Sequence, residues 1–363
     1  MPPPWSSVHA RLHQALRQRQ LLPQGSAILV AVSGGQDSLA LTKLLLDLQR
    51  LWGWTLAIAH CDHGWRPDSA DNAAHVAQLA QTWGLPCHIK TVSKEEAAVI
   101  TSEAAARDWR YRQLAAVARA QGCAYVVTGH TASDRAETLL YNLIRGSGAD
   151  GLQALSWCRE LGCRELGPGG DRAADGKLWL VRPMLDLLRQ ETAQICTTYG
   201  LPIWEDETNQ DLRYTRNRIR QQLLPYLESS FNPAVEQTLA QTAEVLQADV
   251  AYLESQVDRL WLRVMSETPD LHPNVEGLLR YGLRRDELKV SALALQRRLL
   301  RRLLLQVGIA PTFRRVEALA GLIDAPNRTQ TSPLYGGIVA QVEGERIIFK
   351  MLPAGGTDPH PFG

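Results

Sequence analysis

The chain has 363 residues, of which 45% are apolar and 21% charged, and its formal net charge is only +1. This length and composition predict two folded domains and exclude a largely disordered protein. With a net charge this close to zero, the protein as a whole does not attract nucleic acid electrostatically. Any RNA binding therefore has to use local basic clusters.

The first 25 residues have no continuous apolar stretch, because Arg11, Arg17 and Arg19 interrupt the pattern. They therefore do not resemble a secretory signal, and no run elsewhere approaches the length of a membrane span. The six cysteines are scattered and form no Cys-x-x-Cys pair, which is typical of reduced thiols. We expect a cytoplasmic protein that does not contact a membrane.

Short apolar runs alternate with amphipathic stretches from residue 27 onward. The runs at 27–32, 55–60, 87–91, 125–128 and 179–182 predict strands. The stretches at 38–48, 70–83, 102–121, 134–145 and 190–199 have the helical period. Such alternation is typical of an α/β fold with a doubly wound, mostly parallel sheet.

The pattern changes after residue 211, where long helical stretches at 234–264 and 291–307 predict a second, mainly helical domain. Two short apolar runs, 338–341 and 346–350, predict a closing hairpin, and the Gly-rich segment 162–176 predicts a mobile surface loop. We expect a helical segment at 1–24, an α/β domain at 25–208, the helical domain at 209–350 and a flexible tail at 351–363.

One loop stands directly between the first predicted strand and its helix. It consists of Ser33, Gly34, Gly35, Gln36, Asp37 and Ser38. Two glycines let the backbone approach a ligand, and the serine hydroxyls and helix N-terminal amides can donate to phosphate oxygens. No Lys follows the glycines as in a Walker A loop, so the Asp37 carboxylate predicts a bridging metal ion. The simpler interpretation is a tight turn with a helix cap.

Two further polar motifs follow predicted strands, HCDHGWR at 60–66 and GHTASDRAET at 129–138. Open α/β sheets bind ligands at the carboxyl ends of their strands, which is where both motifs stand. His130 and Asp134 are four residues apart, a spacing that brings two side chains to one face at a helix start. In the simpler interpretation, the histidines only end a strand and Asp134 only complements a helix dipole.

The loop at 33–38 resembles the SGGxDS loop of the N-type ATP pyrophosphatases, the PP-loop superfamily, which cleaves ATP between its α and β phosphates. The later motifs resemble, in order, the HVDHGLR, GHHxDDQAET, RGSG, EDxSN and RNRIRxxLLP segments of lysidine synthases. Their counterparts here are 60–66, 129–138, 145–148, 205–209 and 216–225. The resemblance runs from about residue 29 to 227 and more thinly to 350.

This resemblance implies an adenine nucleotide alpha hydrolase-like fold and an ATP-dependent carbon–nitrogen ligase. The implied enzyme adenylates the wobble cytidine of the CAU anticodon in tRNA(Ile) and releases PPi. It then joins L-lysine to give lysidine with release of AMP, which changes codon reading from AUG to AUA. The domain at 209–350 would bind the tRNA, and a homodimer is a further expectation.

The resemblance also implies roles for individual residues. Asp37, Arg110, His130 and Asp134 match catalytic positions, the loop 33–38 would bind ATP, and Asp37 and Asp134 would hold Mg²⁺. We assign lysine binding to Asp62 and Glu137. A neutral amine is needed for attack, and His130 is a candidate for accepting its proton.

Binding of tRNA is assigned to two arginine clusters. The first contains Arg216, Arg218 and Arg220, and an arginine at every second position suits a polyanionic partner. The second is a basic ridge on a predicted helix, where Arg297 stacks with Arg301 and Arg298 with Arg302 at four-residue spacing. The simpler interpretation of the second cluster is a solvated helix face.

The chain departs from the family pattern at three positions in the 129–138 motif: Thr131 replaces a His, Ser133 an Asp and Arg135 a Gln. Two alternatives stay open. A tRNA cytidine thiolase would need paired cysteines, and Cys158 and Cys163 are spaced too widely for a Cys-x-x-Cys site. A non-catalytic RNA-binding module would be indicated by loss of Asp37 or Asp134, and both are present.

Overall fold

The computed structural model describes residues 5–64, 68–161, 177–205, 210–267 and 281–351. The chain divides into two compact units, Met1–Gln247 and Ala248–Gly363. The predicted loop at 162–176, motif positions 65, 66 and 206–209, and tail positions 352–363 lie outside the described residues. The predicted boundary between the α/β domain and the tRNA-binding domain, after residue 208, stays a prediction.

The first unit contains a six-stranded sheet with the order β3-β2-β1-β4-β6-β5. The first five strands in this order are parallel, and β5 joins the edge antiparallel to β6. This confirms the predicted doubly wound sheet; β5 was not predicted because three residues are too few to show a period. The strands are β1 (Ala27–Ala31), β2 (Thr55–Asp62), β3 (Cys87–Thr91), β4 (Tyr125–Thr128), β5 (Cys158–Glu160) and β6 (Trp179–Val181).

Helices cover both faces of this sheet. Ile28 and Val30 of β1 pack in one apolar cluster, and Leu29 between them packs in a different one. Such alternation follows from the two-residue period of a strand, and it requires apolar residues on both faces. The sequence of β1 is therefore almost continuously apolar.

The helices of the first unit agree in place with the predicted ones, and several short helices lie between them. They are α1 (Ser7–Gln18), α2 (Gln36–Trp52), α3 (Ser69–Thr82), α4 (Lys94–Val99), α5 (Glu103–Ala120), α6 (Ala132–Ile144), α7 (Ala149–Leu152), α8 (Arg189–Thr198), α9 (Thr215–Arg218) and α10 (Leu224–Ser230). A π-helical turn, Ile219–Leu223, separates α9 from α10. The long helix α11 (Val235–Val264) begins in this unit.

The second unit combines helices with a four-stranded antiparallel sheet of order β7-β8-β10-β9. The predicted hairpin is present as β9 and β10, but β7 and β8 add two strands that the sequence pattern did not reveal. The unit is therefore less helical than expected. Its elements after α11 are β7 (Met265–Glu267), β8 (Tyr281–Arg284), α12 (Arg285–Lys289), α13 (Leu293–Gln306), α14 (Phe313–Ala320), β9 (Ile338–Glu343) and β10 (Arg346–Met351).

Strand order positions the site of interest. After β1 the chain continues to β2 and β3 on one side, and then β4 returns to the other side of β1. The carboxyl ends of β1 and β4 thus flank the point where the direction of winding reverses, which is where open α/β sheets bind ligands. Among the described residues, no helix combines the length and apolar character needed to cross a membrane.

Candidate active site

A cavity of about 510 Å³ lies at the carboxyl ends of β1, β2 and β4. All of its lining residues belong to the first unit. It brings together most of the residues singled out in the sequence: Ser33, Gly35, Gln36, Asp37, Ser38, Asp62, Arg110, His130, Asp134 and Arg220 line it.

The loop after β1 is held by its own hydroxyl groups. The Ser33 hydroxyl accepts a hydrogen bond from the Gly35 N–H at 3.3 Å, and the Ser38 hydroxyl accepts one from the Ser33 N–H at 3.2 Å. The Ser38 hydroxyl donates to the Gly35 carbonyl at 2.8 Å. These bonds shape a turn directly before α2, so that the first amides of the helix face the cavity region.

Gly34 and Gly129, after β1 and β4, lie so close to neighbouring atoms that neither position has room for a side chain. Gly34 has φ of +86°, and a Cβ there would lie 2.4 Å from Oδ1 of Asn72. A Cβ at Gly129, after β4, would lie 2.8 Å from the carbonyl oxygen of Asp37. A side chain at Gly34 would displace Asn72 of α3, and one at Gly129 would separate the loops that follow β1 and β4.

One carboxylate oxygen of Asp37 accepts a hydrogen bond, and the other faces a guanidinium group. The Thr192 hydroxyl of α8 donates to Oδ1 at 2.5 Å, whereas Oδ2 lies 3.4 Å from Nη2 of Arg189. Burial raises the pKa of this carboxyl above its usual value, and the charge of Arg189 opposes that shift. Gln36 is directed to the same helix, donating to the Arg189 carbonyl at 2.8 Å.

Asp134 repeats this arrangement at the start of α6. Its Oδ2 accepts from the N–H and the hydroxyl of Thr131, at 2.8 and 3.0 Å, and the Thr131 hydroxyl accepts from the Asp134 N–H at 3.4 Å. This capping box gives the departure at Thr131 a structural role. Oδ1 lies 3.6 Å from Nη2 of Arg220. Burial opposes ionisation of Asp134, yet His130, the Thr131 N–H and Arg220 together hold its pKa below the usual value.

His130 follows β4 and lines the cavity beside Asp134. Its Nδ1 is 2.8 Å from the Thr128 hydroxyl. Burial, followed by the positive charge of Arg182, lowers the pKa of His130 from 6.5 to about 3. The imidazole is therefore neutral at physiological pH, which makes it a weak proton acceptor and a suitable hydrogen-bond donor.

Arg110 reaches the cavity from α5. Its Nε donates to Nε2 of His63 at 3.3 Å, and its carbonyl oxygen accepts from the Cys61 thiol at 3.9 Å. Burial raises the pKa of Cys61 to about 12. The thiol therefore stays protonated and positions Arg110 instead of acting as a nucleophile.

The two residues assigned to lysine are in different environments. Asp62 lines the cavity, and its Oδ1 accepts from the Gly64 N–H at 2.8 Å. Glu137 is buried on α6 and accepts two hydrogen bonds from Arg220, at 2.5 and 2.9 Å. The carboxylate of Glu137 is thus already paired, whereas no bond from another described residue reaches Oδ2 of Asp62.

The first arginine cluster does not act as one surface. Arg220 lines the same cavity as the phosphate loop, beside Glu137 and Asp134, although the sequence assigned it only to tRNA binding. The π-helical turn Ile219–Leu223 changes the direction of side chains after α9, which the two-residue spacing of the arginines did not reveal. Arg216 lies 3.6 Å from Glu103, a cavity-lining residue, and Arg218 is exposed.

Arg145 and Arg216 lie over the same ring, that of Tyr141, at 5.2 and 5.8 Å from its centre. Arg145 is exposed. We call Tyr141, Arg145, Arg216 and the exposed Arg218, two residues after Arg216, the mouth patch. Arg216 lies 3.6 Å from Glu103, which lines the cavity, so this end of the patch adjoins the cavity.

Most of the predicted ridge on α13 is neutralised by carboxylates of its own unit. Arg297 donates to both oxygens of Glu317, at 2.7 and 2.8 Å. Arg298 pairs with Glu254 at 2.7 Å, and Arg302 pairs with Glu254 and Asp258 at 2.6 Å. A phosphate would have to compete with these pairs, and RNA contact by Arg297 and Arg301 stays a prediction.

Several functional positions were not found from the sequence. Thr192 and Arg189 of α8 reach Asp37 from distant parts of the chain, and no local motif marks them. Asn72 is buried, donates from Nδ2 to the Ser33 carbonyl at 3.1 Å and packs against Gly34. The Trp204 N–H donates to the Gly34 carbonyl at 3.0 Å. A polar residue inside the apolar pattern of α3 was the only signal for Asn72.

Comparisons with known proteins show what the chain is similar to. Residues 5–227 match the model of a PP-loop domain, and residues 283–346 match that of the TilS substrate binding domain. A tRNA(Ile)-lysidine synthase of Nostoc sp. is 51% identical over 350 residues, covering 95% of this chain and 97% of that protein. One of Thermosynechococcus vestitus is 48% identical and covers 94% and 92%.

Among solved structures, the U34-tRNA thiolase NcsA from Methanococcus maripaludis is similar, with a TM-score of 0.51 and 15% sequence identity. The match covers 66% of this chain and 80% of that chain. At this identity the likeness concerns the fold alone.

Proposed function

Because the chain belongs to the tRNA(Ile)-lysidine synthase family, we propose that its cavity activates the wobble cytidine with ATP and Mg²⁺ before lysine attacks. The protein is a ligase that forms lysidine on tRNA with the use of ATP. What we propose beyond this is the order of the two reaction steps, the use of Mg²⁺ and the CAU anticodon of the tRNA. Because the family is shown, the two alternatives, a tRNA cytidine thiolase and a non-catalytic RNA-binding module, are set aside.

One observation carries the proposal: Asp37 and Asp134 line one cavity with the phosphate loop, and each has one anchored oxygen and one directed to a guanidinium. Carboxylates fixed in this way by neighbouring hydrogen-bond donors suit a cation. Mg²⁺ typically takes one or two protein carboxylates and completes its shell with water and substrate phosphates.

The chain's own groups account for nucleotide binding. The first amides of α2 would donate to phosphate oxygens, and the hydroxyls of Ser33 and Ser38 would do so in place of their present bonds within the loop. Asp37 and Asp134 would hold Mg²⁺, which supplies charge neutralisation on the phosphates when it is bound. Arg189 lines the same cavity, and its guanidinium would meet the negative charge of departing PPi.

Arg110 and His130 would act on the cytidine. Both line the cavity, one from α5 and one from the loop after β4. A guanidinium and a neutral imidazole can donate hydrogen bonds to the activated cytidine and stabilise it. The low pKa of His130 favours this role over that of the base that takes the lysine proton.

The lysine site would contain Asp62, whose remaining oxygen can accept from an ammonium group. Glu137 would act through Arg220, because the guanidinium covers its carboxylate. The anticodon would approach over the mouth patch, since its arginines adjoin the cavity entrance. A homodimer stays a prediction.

The nucleotide products test this proposal. The protein is incubated with ATP, Mg²⁺, lysine and tRNA(Ile) that carries a CAU anticodon, and the products are separated by ion exchange. We expect AMP and PPi in equal amounts. Formation of ADP and phosphate would contradict activation at the α phosphate.

A further inference from the structure

Two departures from the family pattern flank Asp134 on the first turn of α6. Ser133 stands where the pattern has Asp, and Arg135 where it has Gln. Both side chains are only 2% exposed. A buried hydroxyl and a buried guanidinium have to find partners, and these partners indicate what the two residues do.

Ser133 joins three elements. Its hydroxyl donates to Oε2 of Glu236 on α11 at 2.6 Å and accepts from the N–H of Arg189, the first residue of α8, at 3.1 Å. A hydroxyl can donate and accept at once, whereas an ionised carboxylate can only accept. An Asp at position 133 could accept from Arg189, but it would place a second carboxylate against Glu236.

Arg135 makes the second connection to α11. Its Nη1 donates to Oε2 of Glu244 at 2.6 Å, and its Nε and Nη2 donate to the Leu155 carbonyl at 3.0 and 2.9 Å. The indole N–H of Trp157 also donates to Oε2 of Glu244, at 2.6 Å. A Gln at position 135 would leave Glu244 without this charge partner.

Glu236 and Glu244 are eight residues apart on α11, so one face of that helix holds both partners. Asp134 lies between the two residues that they contact. Arg189, the other partner of Ser133, also faces Asp37 at 3.4 Å. The start of α11 is therefore connected to the surroundings of both carboxylates in the cavity.

We propose that Glu236 and Glu244 are positioning residues of the ATP site, which act through Ser133 and Arg135 to fix the start of α6. The pairs Ser133–Glu236 and Arg135–Glu244 join the first turn of α6 to α11 on both sides of Asp134. This inference rests on the proposed function, because that proposal places ATP and Mg²⁺ at Asp37 and Asp134.

The test uses the full chain and measures binding of α,β-methylene-ATP with Mg²⁺, together with kcat, both KM values and Tm. In Ser133→Asp, two carboxylates face each other, and their repulsion displaces the start of α6 from the position that binds nucleotide. We expect nucleotide affinity to fall about tenfold or more, which corresponds to about 1.4 kcal/mol. The double variant Ser133→Asp, Glu236→Gln should recover to within about threefold, because an uncharged amide at position 236 removes the repulsion. KM for lysine should change much less than KM for ATP.

The matched control is Gln237→Ala, an exposed residue beside Glu236, which should bind nucleotide like the wild type. Wild-type nucleotide affinity in Ser133→Asp would overturn the inference, and so would a defect that Glu236→Gln fails to relieve. If Ser133→Asp does not fold, Glu236→Ala replaces it. A lower Tm with unchanged nucleotide affinity would show a purely structural role and also overturn the inference.

Asp134→Asn separates this inference from the proposed function. If it leaves analogue binding unchanged, the proposed metal site is wrong. If it abolishes binding while Ser133→Asp and Glu236→Ala do not weaken it, only the positioning role is wrong.

Discussion

Arg220 donates hydrogen bonds to both carboxylate oxygens of Glu137, at 2.5 and 2.9 Å. The side chain of Glu137 is 4% exposed, so the guanidinium compensates a carboxylate that water barely reaches. Arg220 also lies 3.6 Å from Asp134. These contacts assign Arg220 to the cavity and separate it from the exposed Arg218 two residues earlier.

The first prediction follows from this pair. Arg220→Ala should leave Glu137 buried without a partner and lower stability by about 2–3 kcal/mol, since Arg220 is partly exposed and a fully buried pair would cost more. It should also raise KM for lysine or ATP, measured below the Tm of the variant. The salt dependence of tRNA binding should stay unchanged in Arg220→Ala. The control is Arg218→Ala, which should lower the salt slope and leave the kinetics unchanged. If Arg220→Ala itself lowered the salt slope and kept normal kinetics, Arg220 would contact RNA instead of the cavity.

The second prediction concerns the mouth patch. Replacement of Arg145, Arg216 and Arg218 by Ala should weaken tRNA binding without changing ATP affinity. Each lost phosphate contact should lower the slope of log K against log salt by about 0.7–0.9. Filter binding at several salt concentrations measures the slope. Since Arg297 is already paired with Glu317, Arg297→Ala should lower the salt slope less than the mouth-patch variant does. A larger effect of Arg297→Ala would show that RNA contacts α13 instead of the mouth patch.

The third prediction concerns the carboxylates. Asp37→Asn and Asp134→Asn should each lower kcat by on the order of a thousandfold, because charge neutralisation by a metal ion is worth several kcal/mol. Binding of tRNA should stay nearly unchanged, since neither residue belongs to the mouth patch. Single-turnover release of PPi measures the effect. Turnover within a few-fold of the wild type in either variant would place the metal elsewhere.

The fourth prediction uses the Cys61 thiol, whose pKa burial raises from 9.0 to about 12. The unfolded thiol loses its proton near pH 9, whereas the folded thiol keeps it, so its contribution to stability decreases as pH rises from about 9 to about 12. At pH 8.5, iodoacetamide should modify Cys61 more slowly than a free cysteine, as peptide mass spectrometry can measure. Cys61→Ser should keep activity because a hydroxyl also donates to the Arg110 carbonyl; rapid alkylation with loss of activity would indicate a reactive thiol.

The sequence sufficed to predict where the cavity lies, because apolar runs mark where strands end and parallel strands end at one edge of the sheet. Asp37 and Asp134 could be placed together for this reason. The direction of Arg220 could not be predicted, since it depends on a π-helical turn that has no periodic signature. Arg189 and Thr192, or Glu236 and Glu244, could not be predicted either, because their partners lie far away in the chain.

The second unit shows the same limit. The period of α13 and the hairpin β9–β10 were visible in the sequence, whereas β7 and β8 are too short to show alternation. The arginines of α13 looked like a basic ridge because their partners Glu254, Asp258 and Glu317 stand on other helices. Charge compensation between helices requires three-dimensional information.

Mass spectrometry of the tRNA tests the central claim most directly. Wild-type protein is incubated with ATP, Mg²⁺, lysine and tRNA(Ile) with a CAU anticodon, the RNA is digested, and the anticodon fragment is weighed. We predict that this fragment gains the mass of one lysine less one water at the wobble cytidine, with one AMP released per lysine. An unmodified wobble cytidine, or a mass gain that does not require lysine, would contradict the account.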